Sequence, residues 1–474
     1  MQRSCRSCLQ KKRIGSEYNG NTIKGVYKEK MQLTKEQNRK LKRTGWVSFL
    51  ILALAQFMVQ FHRNSPGVMK DTLSGVFHMN ATQFGTLSAM YFYPYMIAQI
   101  PMGVLMDVIG VRATVAAGSF VAAVGAAIFG LAGSFPIACI GRMLIGIGVS
   151  VPVICSQKLV AAWFPESRIA SIFSTSSVVA QCGALVAQYP LAVAIDFVPW
   201  RVVFFVSAAA SLILAICCWI FVRNDPTDIG LPSMAEIEGR KMPKKEILSA
   251  KTVLKAVGKT FANRYGWPVF VVMAVHQGLF NMFASTWAIP YLQESFGYTN
   301  TQATAFTTGM MIASIIFAFF IGSISDRLKS RKIVIIGISI ILLVLYSVFC
   351  FGAKNGLPVW LLWVCMIIMG IGGCGTQIIL SYSREINNPI YVGISVASVN
   401  VVGMLVSSIM PTVLGALLDK YAITSSGGEL YSKALLPCVI IAVIGVIFSF
   451  LIKDTGCRNR YVDWNIGGHI SANE

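Results

Sequence analysis

A histidine and an arginine stand side by side within an apolar stretch of this chain. His62 and Arg63 lie in the run AQFMVQFHRNSPGVM. A charge at such a depth costs at least a few kcal/mol, so it normally faces a protein interior or a water-filled path. Because the planar fork of an arginine can bind two oxygens of a carboxylate or phosphate, the pair is a candidate anion site. The alternative is an arginine that extends to the outer membrane interface, since Trp46 stands 63 − 46 = 17 residues earlier, about 26 Å along a helix.

Other polar side chains in apolar stretches are candidates for the same site. Tyr91 and Tyr95 share a face if their segment is helical, and they either donate hydroxyls to a substrate or simply pack. In the second half of the chain, His276, Gln277 and Asn281 are the candidates in the stretch WPVFVVMAVHQGLFNMFASTWAIPYL. These five join His62 and Arg63 as the predicted substrate-binding residues.

The acidic residues bear on energy coupling, because no Asp or Glu lies deep within an apolar stretch. A proton carrier would therefore have to be His62 or His276, whose unperturbed pKa of about 6.5 permits that role. Each histidine fits equally a packed, hydrogen-bonded role. Exchange of one anion for another needs no proton carrier, so proton symport and anion exchange both stay open.

A short polar pattern occurs twice, each time between two long apolar stretches. The copies are Gly103, Leu105, Asp107, Gly110, Arg112 and Gly322, Ser325, Asp326, Arg327, Arg331, Lys332. The two aspartates are 326 − 107 = 219 residues apart, which indicates two similar membrane halves. An aspartate at a helix end can face the N-terminal dipole of a neighbouring helix, and arginines can bind carboxylates across a gap. We predict that these turns form a latch that closes one side of the protein; the alternative is that they only determine topology.

Composition places the chain in a membrane. Hydrophobic residues make up 55% and charged residues 13% of the 474 residues, whereas a soluble domain carries about 25% charged residues. The net charge of +20 is uneven, because residues 1–45 contain 13 Lys/Arg and 3 Glu. Ahead of a membrane span, such a tail indicates retention in the cytoplasm rather than nucleic-acid binding.

Apolar runs of about 20 residues predict an all-α membrane protein with twelve spans. The predicted spans are 46–72, 83–106, 113–133, 137–160, 169–193, 200–222, 266–292, 301–323, 333–352, 358–382, 391–418 and 432–453. We expect a tail 1–45, a six-helix bundle 46–222, a linker 223–262, a second bundle 263–453 and a tail 454–474. The basic turns all fall on one side, so the positive-inside rule puts both termini and the linker in the cytoplasm. No cleavable signal peptide is expected, since no short apolar region with a small-residue cleavage site precedes the first span.

From about residue 45 to residue 455, the chain resembles the major facilitator superfamily of transporters. The repeated turn is similar to that superfamily's loop between helices two and three, where it is understood as a latch, and Arg142 with Gly146 is similar to its RxxxG motif. The resemblance implies two pseudo-symmetric six-helix bundles, alternating access and a monomer. It also implies a multi-pass protein of a bacterial inner (plasma) membrane.

The stretch from Arg63 to Arg112 resembles the organic anion branches, the organophosphate:phosphate antiporters and the anion:cation symporters. In those branches an arginine of the first helix contacts the substrate, and Arg63 stands at the matching position. The antiporters use a second arginine in the seventh helix, where this chain offers only His276, Gln277 and Asn281. The symporters tend to have an acid where this chain has His62. A monocarboxylate or another smaller anion therefore fits one arginine better than a doubly charged phosphoester does.

The sequence contains no GxxxxGK[ST] motif, no HExxH motif and no metal-spaced cluster of acids. We therefore expect no enzyme activity, no cofactor and no metal. A lone CxxC, Cys5 and Cys8, lacks the partners of a zinc site. The predicted function is a secondary active transporter whose partners are a small-molecule substrate, a co-transported or exchanged ion, and the lipid bilayer. The alternatives are a transporter of dipeptides, amino acids or drugs, and a transporter-like ligand sensor.

Overall fold

The computed structural model describes residues 33–238, 257–387 and 392–461, which are predominantly helical and contain no strand. We number the membrane crossings span 1 to span 12. In the first half, span 1 is Lys35–Val68 with Lys70–Phe77, and spans 2 and 3 together are Ala81–Leu131. Span 4 is Phe135–Val149 with Pro152–Trp163, span 5 is Glu166–Val186 with Tyr189–Phe197, and span 6 is Trp200–Phe221. In the second half, span 7 is Trp267–Met282 with the π-helix Phe283–Trp287 and the helix Ala288–Phe296. Span 8 is Asn300–Arg327, span 9 is Arg331–Asn355, and span 10 is Val359–Gly373 with Gly375–Ile386. Span 11 is Val392–Tyr421 and span 12 is Gly427–Leu451.

The helix Ala81–Leu131 contains two crossings rather than one. Its 51 residues would extend about 76 Å if straight, more than twice a hydrocarbon core of about 30 Å. Gly110 breaks it at φ 86° and ψ 167°, a backbone conformation that favours glycine. Among the described residues, eleven segments are long and apolar enough to span a membrane, and Pro101–Leu131 is one of them. Counting the part of the helix Ala81–Leu131 that precedes the break at Gly110 as a further crossing gives the twelve spans that the sequence predicts.

Capping boxes begin the corresponding helices of the two halves. Span 2 starts with the side chain of Asn80 accepting from the backbone N–H of Gln83, whose side chain accepts from the backbone of Asn80. Span 8 starts in the same way with Thr299 and Gln302. The separation is 302 − 83 = 219 residues, the same as between the aspartates of the repeated turns. The internal repeat therefore covers the whole of these two spans and not the turns alone.

Span 1 begins earlier than the sequence predicts. Thr34 and Gln37 form a capping box, so the helix starts at Lys35 rather than at residue 46. Its first turns carry basic residues, and no long apolar run marks them. The apolar run predicts where the membrane begins, whereas the cap fixes where the helix begins.

The helix ends define two sides of the molecule. We call the side with the start of span 1, the turn at Gly110 and the segment after span 6 the linker side. The other is the opposite side. On the opposite side one apolar core includes residues of both halves, such as Phe84 and Trp287. On the linker side the core divides into two clusters, one for each half.

Polar contacts between the halves follow the same distribution. On the opposite side Asn300 donates to the carbonyl of Val68 at 3.1 Å, and Thr307 donates to Gln188 at 2.7 Å. Among the described residues, the hydrogen bond nearest the linker side that joins the halves is from Asn400 to Gln99, at 3.5 Å. The halves are thus packed together on the opposite side and separate toward the linker side.

Candidate functional site

Arg63 lies near the end of the first helix of span 1, on a platform of aromatic rings from span 2. Its guanidinium carbon is 5.9 Å from the centroid of Tyr91, 5.8 Å from that of Phe92 and 5.6 Å from that of Tyr95. The side chain is partly exposed, and its Nε is buried without a hydrogen-bond partner. Within the described residues no carboxylate forms an ion pair with it. The rings stabilise the cation and leave donors free for an anion.

The two tyrosines of this platform pack on each other. Their rings are stacked at 5.9 Å and 17°. The hydroxyl of Tyr91 donates to the carbonyl of Val59 at 3.0 Å, which ties span 2 to span 1. Tyr91 is wholly buried and Tyr95 is 3% exposed. Their first role is therefore to build the surface on which Arg63 rests.

A second arginine, Arg142 of span 4, contacts the same platform. It is fully buried, and its guanidinium carbon lies 5.0 Å from the centroid of Tyr91. Nη1 donates to the carbonyl of His62 at 2.7 Å, whereas Nε and Nη2 have no hydrogen-bond partner among the described residues. Both ring nitrogens of His62 are also buried, with no hydrogen-bond partner in the described part of the chain. The sequence motif pointed to Arg142 but not to this contact.

A glycine explains how span 4 comes so close to span 2. A Cβ atom at Gly146 would lie 2.4 Å from the carbonyl oxygen of Tyr91, so only a glycine permits this separation. Gly146 follows Arg142 by one helical turn and faces the same helix. The glycine of the RxxxG pattern thus positions the arginine beside the platform.

Span 1 also presents amides that the sequence analysis did not single out. Gln56 donates to Ser156 at 2.6 Å and to Ser176 at 2.5 Å. Gln60 donates to Gln181 at 2.5 Å, and its own Oε1 is buried without a partner. Residues 56, 60 and 63 follow the helical spacing of one face, which is the signal that would have found them.

In the second half, two of the three predicted residues of span 7 face span 11. Gln277 donates to Asn400 at 3.3 Å, and Asn400 in turn donates to Gln99 of span 2. Asn281, one turn further, donates to Ser407 at 3.1 Å. Gln99 stands one turn after Tyr95, so a single face of span 2 connects the arginine platform with these amides.

His276 points elsewhere. Its Nε2 lies 2.8 Å from the hydroxyl of Ser339 in span 9, and its Nδ1 would be 3.0 Å from a Cβ at Gly375 in span 10. It is fully enclosed within the second half. The structure therefore does not bring His276 together with Arg63.

Comparison with known proteins decides the family. The profile of the Major Facilitator Superfamily matches residues 52–383 and 269–456. The chain belongs to the Major Facilitator Superfamily. It is a multi-pass membrane transporter and not an enzyme.

The chain is similar in sequence to two transporters and similar in fold to one solved structure. The uncharacterized transporter YybO of Bacillus subtilis is 21% identical over 432 residues, covering 88% of this chain and 95% of that protein. The hexuronate transporter of Escherichia coli is 22% identical over 396 residues, covering 80% of this chain and 89% of that protein. The crystal structure of a bacterial homologue of the human lysosomal transporter Spinster has a TM-score of 0.66 at 15% identity, over 86% of this chain and 97% of that one.

In this superfamily member the first repeated turn makes its contacts within its own half. Asp107 pairs with Lys158 of span 4 at 2.5 Å. Arg112 lies over the ring of Trp219 at 4.8 Å, and its backbone N–H donates to Asn224 at 2.9 Å. A Cβ at Gly110 would lie 2.7 Å from that asparagine side chain. No atom of the described residues lies within 4 Å of the position that a Cβ atom would take at Gly103.

The second turn behaves in the same way. Arg331 pairs with Asp326 at 2.8 Å and with Glu385 of span 10 at 3.0 Å, while Arg327 is exposed. Spans 4 and 10 are corresponding helices of the two halves, so the turns have matching partners. Because the halves separate on this side, a latch formed by these residues would be open in this conformation.

Proposed function

We propose that the protein is a secondary active transporter of an organic anion with a single carboxylate, which binds between the halves at Arg63 and crosses by alternating access. The observation that carries the proposal is the partly exposed Arg63, with an unpaired Nε and no carboxylate partner among the described residues. The separation of the halves toward the linker side supports a conformation in which that site is reached from one side only.

The charge balance of the interior supports an anion. Arg63 and Arg142 both keep unpaired donors, and the acidic residues of the described spans stand at helix ends. A buried cation without a partner is strongly unfavourable, and an anion that binds beside it relieves this cost. Arg142 is fully enclosed by protein, so Arg63 is the arginine that remains accessible. One accessible guanidinium suits one carboxylate.

The amides around the platform favour a hydroxylated carboxylate. Gln60 and Gln277 each have a buried Oε1 for which the described residues offer no hydrogen-bond partner. Such acceptors pair naturally with the hydroxyl groups of a polyol chain. The name of the hexuronate transporter indicates a substrate of this chemistry.

His62 is the better candidate if transport is coupled to protons. Its ring nitrogens are unpaired, and its backbone carbonyl is bound by Arg142, whereas His276 is held by Ser339 away from the platform. Proton symport through His62 predicts that a pH gradient drives uptake. Anion exchange predicts that uptake needs an anion inside the vesicle instead.

We place the linker side in the cytoplasm of a bacterial inner membrane, because the basic turns and the described ends of the linker lie there. An alkaline phosphatase fused after residue 225 should then be inactive, and one fused after residue 424 active. The reverse pattern would contradict this orientation.

The proposal is tested by an uptake screen in proteoliposomes that compares carboxylates, neutral sugars and cationic compounds. Arg63→Gln should lower carboxylate uptake to the level of uncharged compounds, while Lys433→Gln, at an exposed i,i+4 pair with Glu429, should leave it unchanged. If neutral or cationic compounds are carried as well by Arg63→Gln as by the wild type, the anion assignment is wrong. Carboxylate binding without any uptake would favour a sensor.

A further inference from the structure

A cleft on the linker side is separate from the platform of Arg63. It has a volume of about 850 Å³ and lies between the first turns of span 1, the turn joining spans 4 and 5, and the short helix Met234–Ile237. A second hollow of about 510 Å³ adjoins it and shares Asn38, Lys42 and Trp46. The larger cleft has the size of ordinary ligand sites, which are about 300–1,000 Å³.

Cations concentrate at this cleft. Lys42 and Arg168 line the cleft itself, and the adjoining hollow adds Lys35, Arg39 and Arg43. In the part of the chain that the structure describes, none of these five has a carboxylate partner, and the same turns of span 1 contain one acid, Glu36. The cluster therefore presents a clear excess of unpaired positive charge.

The remaining walls of the cleft are apolar. Leu41, Trp163, Phe164, Ile172 and Met234 line it, and each of them is less than 9% exposed. A free inorganic anion would gain nothing from these side chains. A molecule with an anionic head and an apolar body would contact both parts of the cleft.

The cleft lies at the boundary of the membrane. Span 1 begins with a helix of 34 residues, about 51 Å long, whereas a hydrocarbon core of about 30 Å needs about 20 residues. Its first turns therefore extend into the headgroup region. Trp46 is 48% exposed at the start of the apolar run, as is typical of an interfacial tryptophan.

The neighbouring segments of the chain are poor occupants by charge. Residues 1–32 contain 8 Lys/Arg and 2 Glu, and residues 239–256 contain 6 Lys/Arg and 1 Glu. Both would place positive charge beside positive charge. The occupant that complements the cleft is anionic and comes from outside the chain.

We infer that this cleft binds an anionic phospholipid, with the headgroup phosphate between Lys42 and Arg168 and an acyl chain along the wall of Phe164 and Ile172. Basic pockets between helices at the membrane surface suit such headgroups. The bound lipid joins span 1, the turn between spans 4 and 5, and the short helix Met234–Ile237, and so stabilises the linker side of the first half.

The test is native mass spectrometry of the full-length protein with added phosphatidylglycerol or phosphatidylcholine. The wild type should retain phosphatidylglycerol preferentially. Lys42→Gln/Arg168→Gln should weaken this binding about 30-fold, and each single variant about 5-fold. Lys259→Gln/Lys329→Gln, which removes two exposed cations of the same side outside the cleft, should bind as the wild type does. The exchange Lys42→Arg/Arg168→Lys keeps both charges and should keep binding.

Three results would overturn the inference: equal retention of the two lipids, undiminished binding by the single variants and the double variant, or an equal loss in the Lys259/Lys329 control. Inorganic phosphate at the same concentration should neither displace the lipid nor raise the melting temperature. If phosphate alone reproduces the effect of phosphatidylglycerol, the site binds phosphate and not a lipid.

Discussion

Asp419 of span 11 accepts a hydrogen bond from the backbone N–H of Thr82 of span 2, with 2.8 Å between the oxygen and the nitrogen. Its other carboxylate oxygen accepts from the N–H of Ala81 at 3.0 Å. A carboxylate of one half thus caps a helix N-terminus of the other, where unpaired N–H groups and the helix dipole favour negative charge. The contact joins the two halves on the opposite side, where they pack together.

Replacing Asp419 by Asn should loosen that closure. The substitution removes the charge that the helix dipole stabilises, a loss of about 0.3–2 kcal/mol. Hydrogen–deuterium exchange of the amides at residues 81–85 should be faster than in the wild type. Asp196→Asn, which alters an exposed acid of the same side, should leave this exchange unchanged. Equal protection in Asp419→Asn and the wild type would mean that the contact does not stabilise the closed side.

The ion pair between Lys70 and Glu294 also joins the halves on the opposite side. Each charge reversal, Lys70→Glu or Glu294→Lys, should slow uptake, because it places like charges across the closed interface. The double reversal restores an opposite pair and should recover most of the rate. If uptake is as slow in the double variant as in the single variants, the slower uptake does not come from repulsion between residues 70 and 294.

Glycines set the distance between spans 2 and 11. A Cβ atom at Gly85 would lie 2.2 Å from the carbonyl oxygen of Pro411, and one at Gly415 would lie 2.3 Å from that of Ala81. Gly85→Ala and Gly415→Ala should therefore disfavour the closed opposite side by about 1–3 kcal/mol. Reduced uptake and faster exchange at residues 81–85 would report the change. Gly337→Ala, with open space around the added methyl group, is the matched control; a loss as large in that variant would contradict the steric account.

The latch role of the repeated turns stays a prediction that Asp107→Asn tests. In the structure this residue pairs with Lys158 in its own half, and the proposed closing contacts form only when the linker side shuts. Uptake should fall while membrane insertion and the amount of reconstituted protein stay normal. Unchanged uptake at equal protein amounts would contradict the latch.

The sequence predicts the twelve spans and the turn at Gly110 because apolar length and backbone freedom are local properties. It predicts Arg63 as unusual for the same reason, since a charge in an apolar run stands out by itself. Neighbouring residues of a helix face different directions, and packing of span 7 against spans 9 and 11 decides which of His276 and Gln277 faces which of these helices. The sequence of span 7 alone does not predict this orientation.

The sequence does not predict which distant segments contact each other. Nothing in the sequence marks Asp419 as the cap of a helix that starts more than 300 residues earlier, because its own surroundings are an ordinary helix end. The RxxxG motif marks Arg142, yet the contact of Arg142 with Tyr91 depends on the close approach that Gly146 permits. Such pairings follow from tertiary geometry alone.

The central claim is that Arg63 selects a carboxylate, and the most direct measurement is the ratio of uptake of a hydroxylated monocarboxylate to that of its uncharged amide. The wild type should prefer the carboxylate by roughly 10- to 150-fold, the range expected for hydrogen bonds to a charged group. Arg63→Gln should lose this preference, and Arg63→Lys, which keeps the charge without the planar fork, should keep part of it. A preference that survives unchanged in Arg63→Gln would contradict the account.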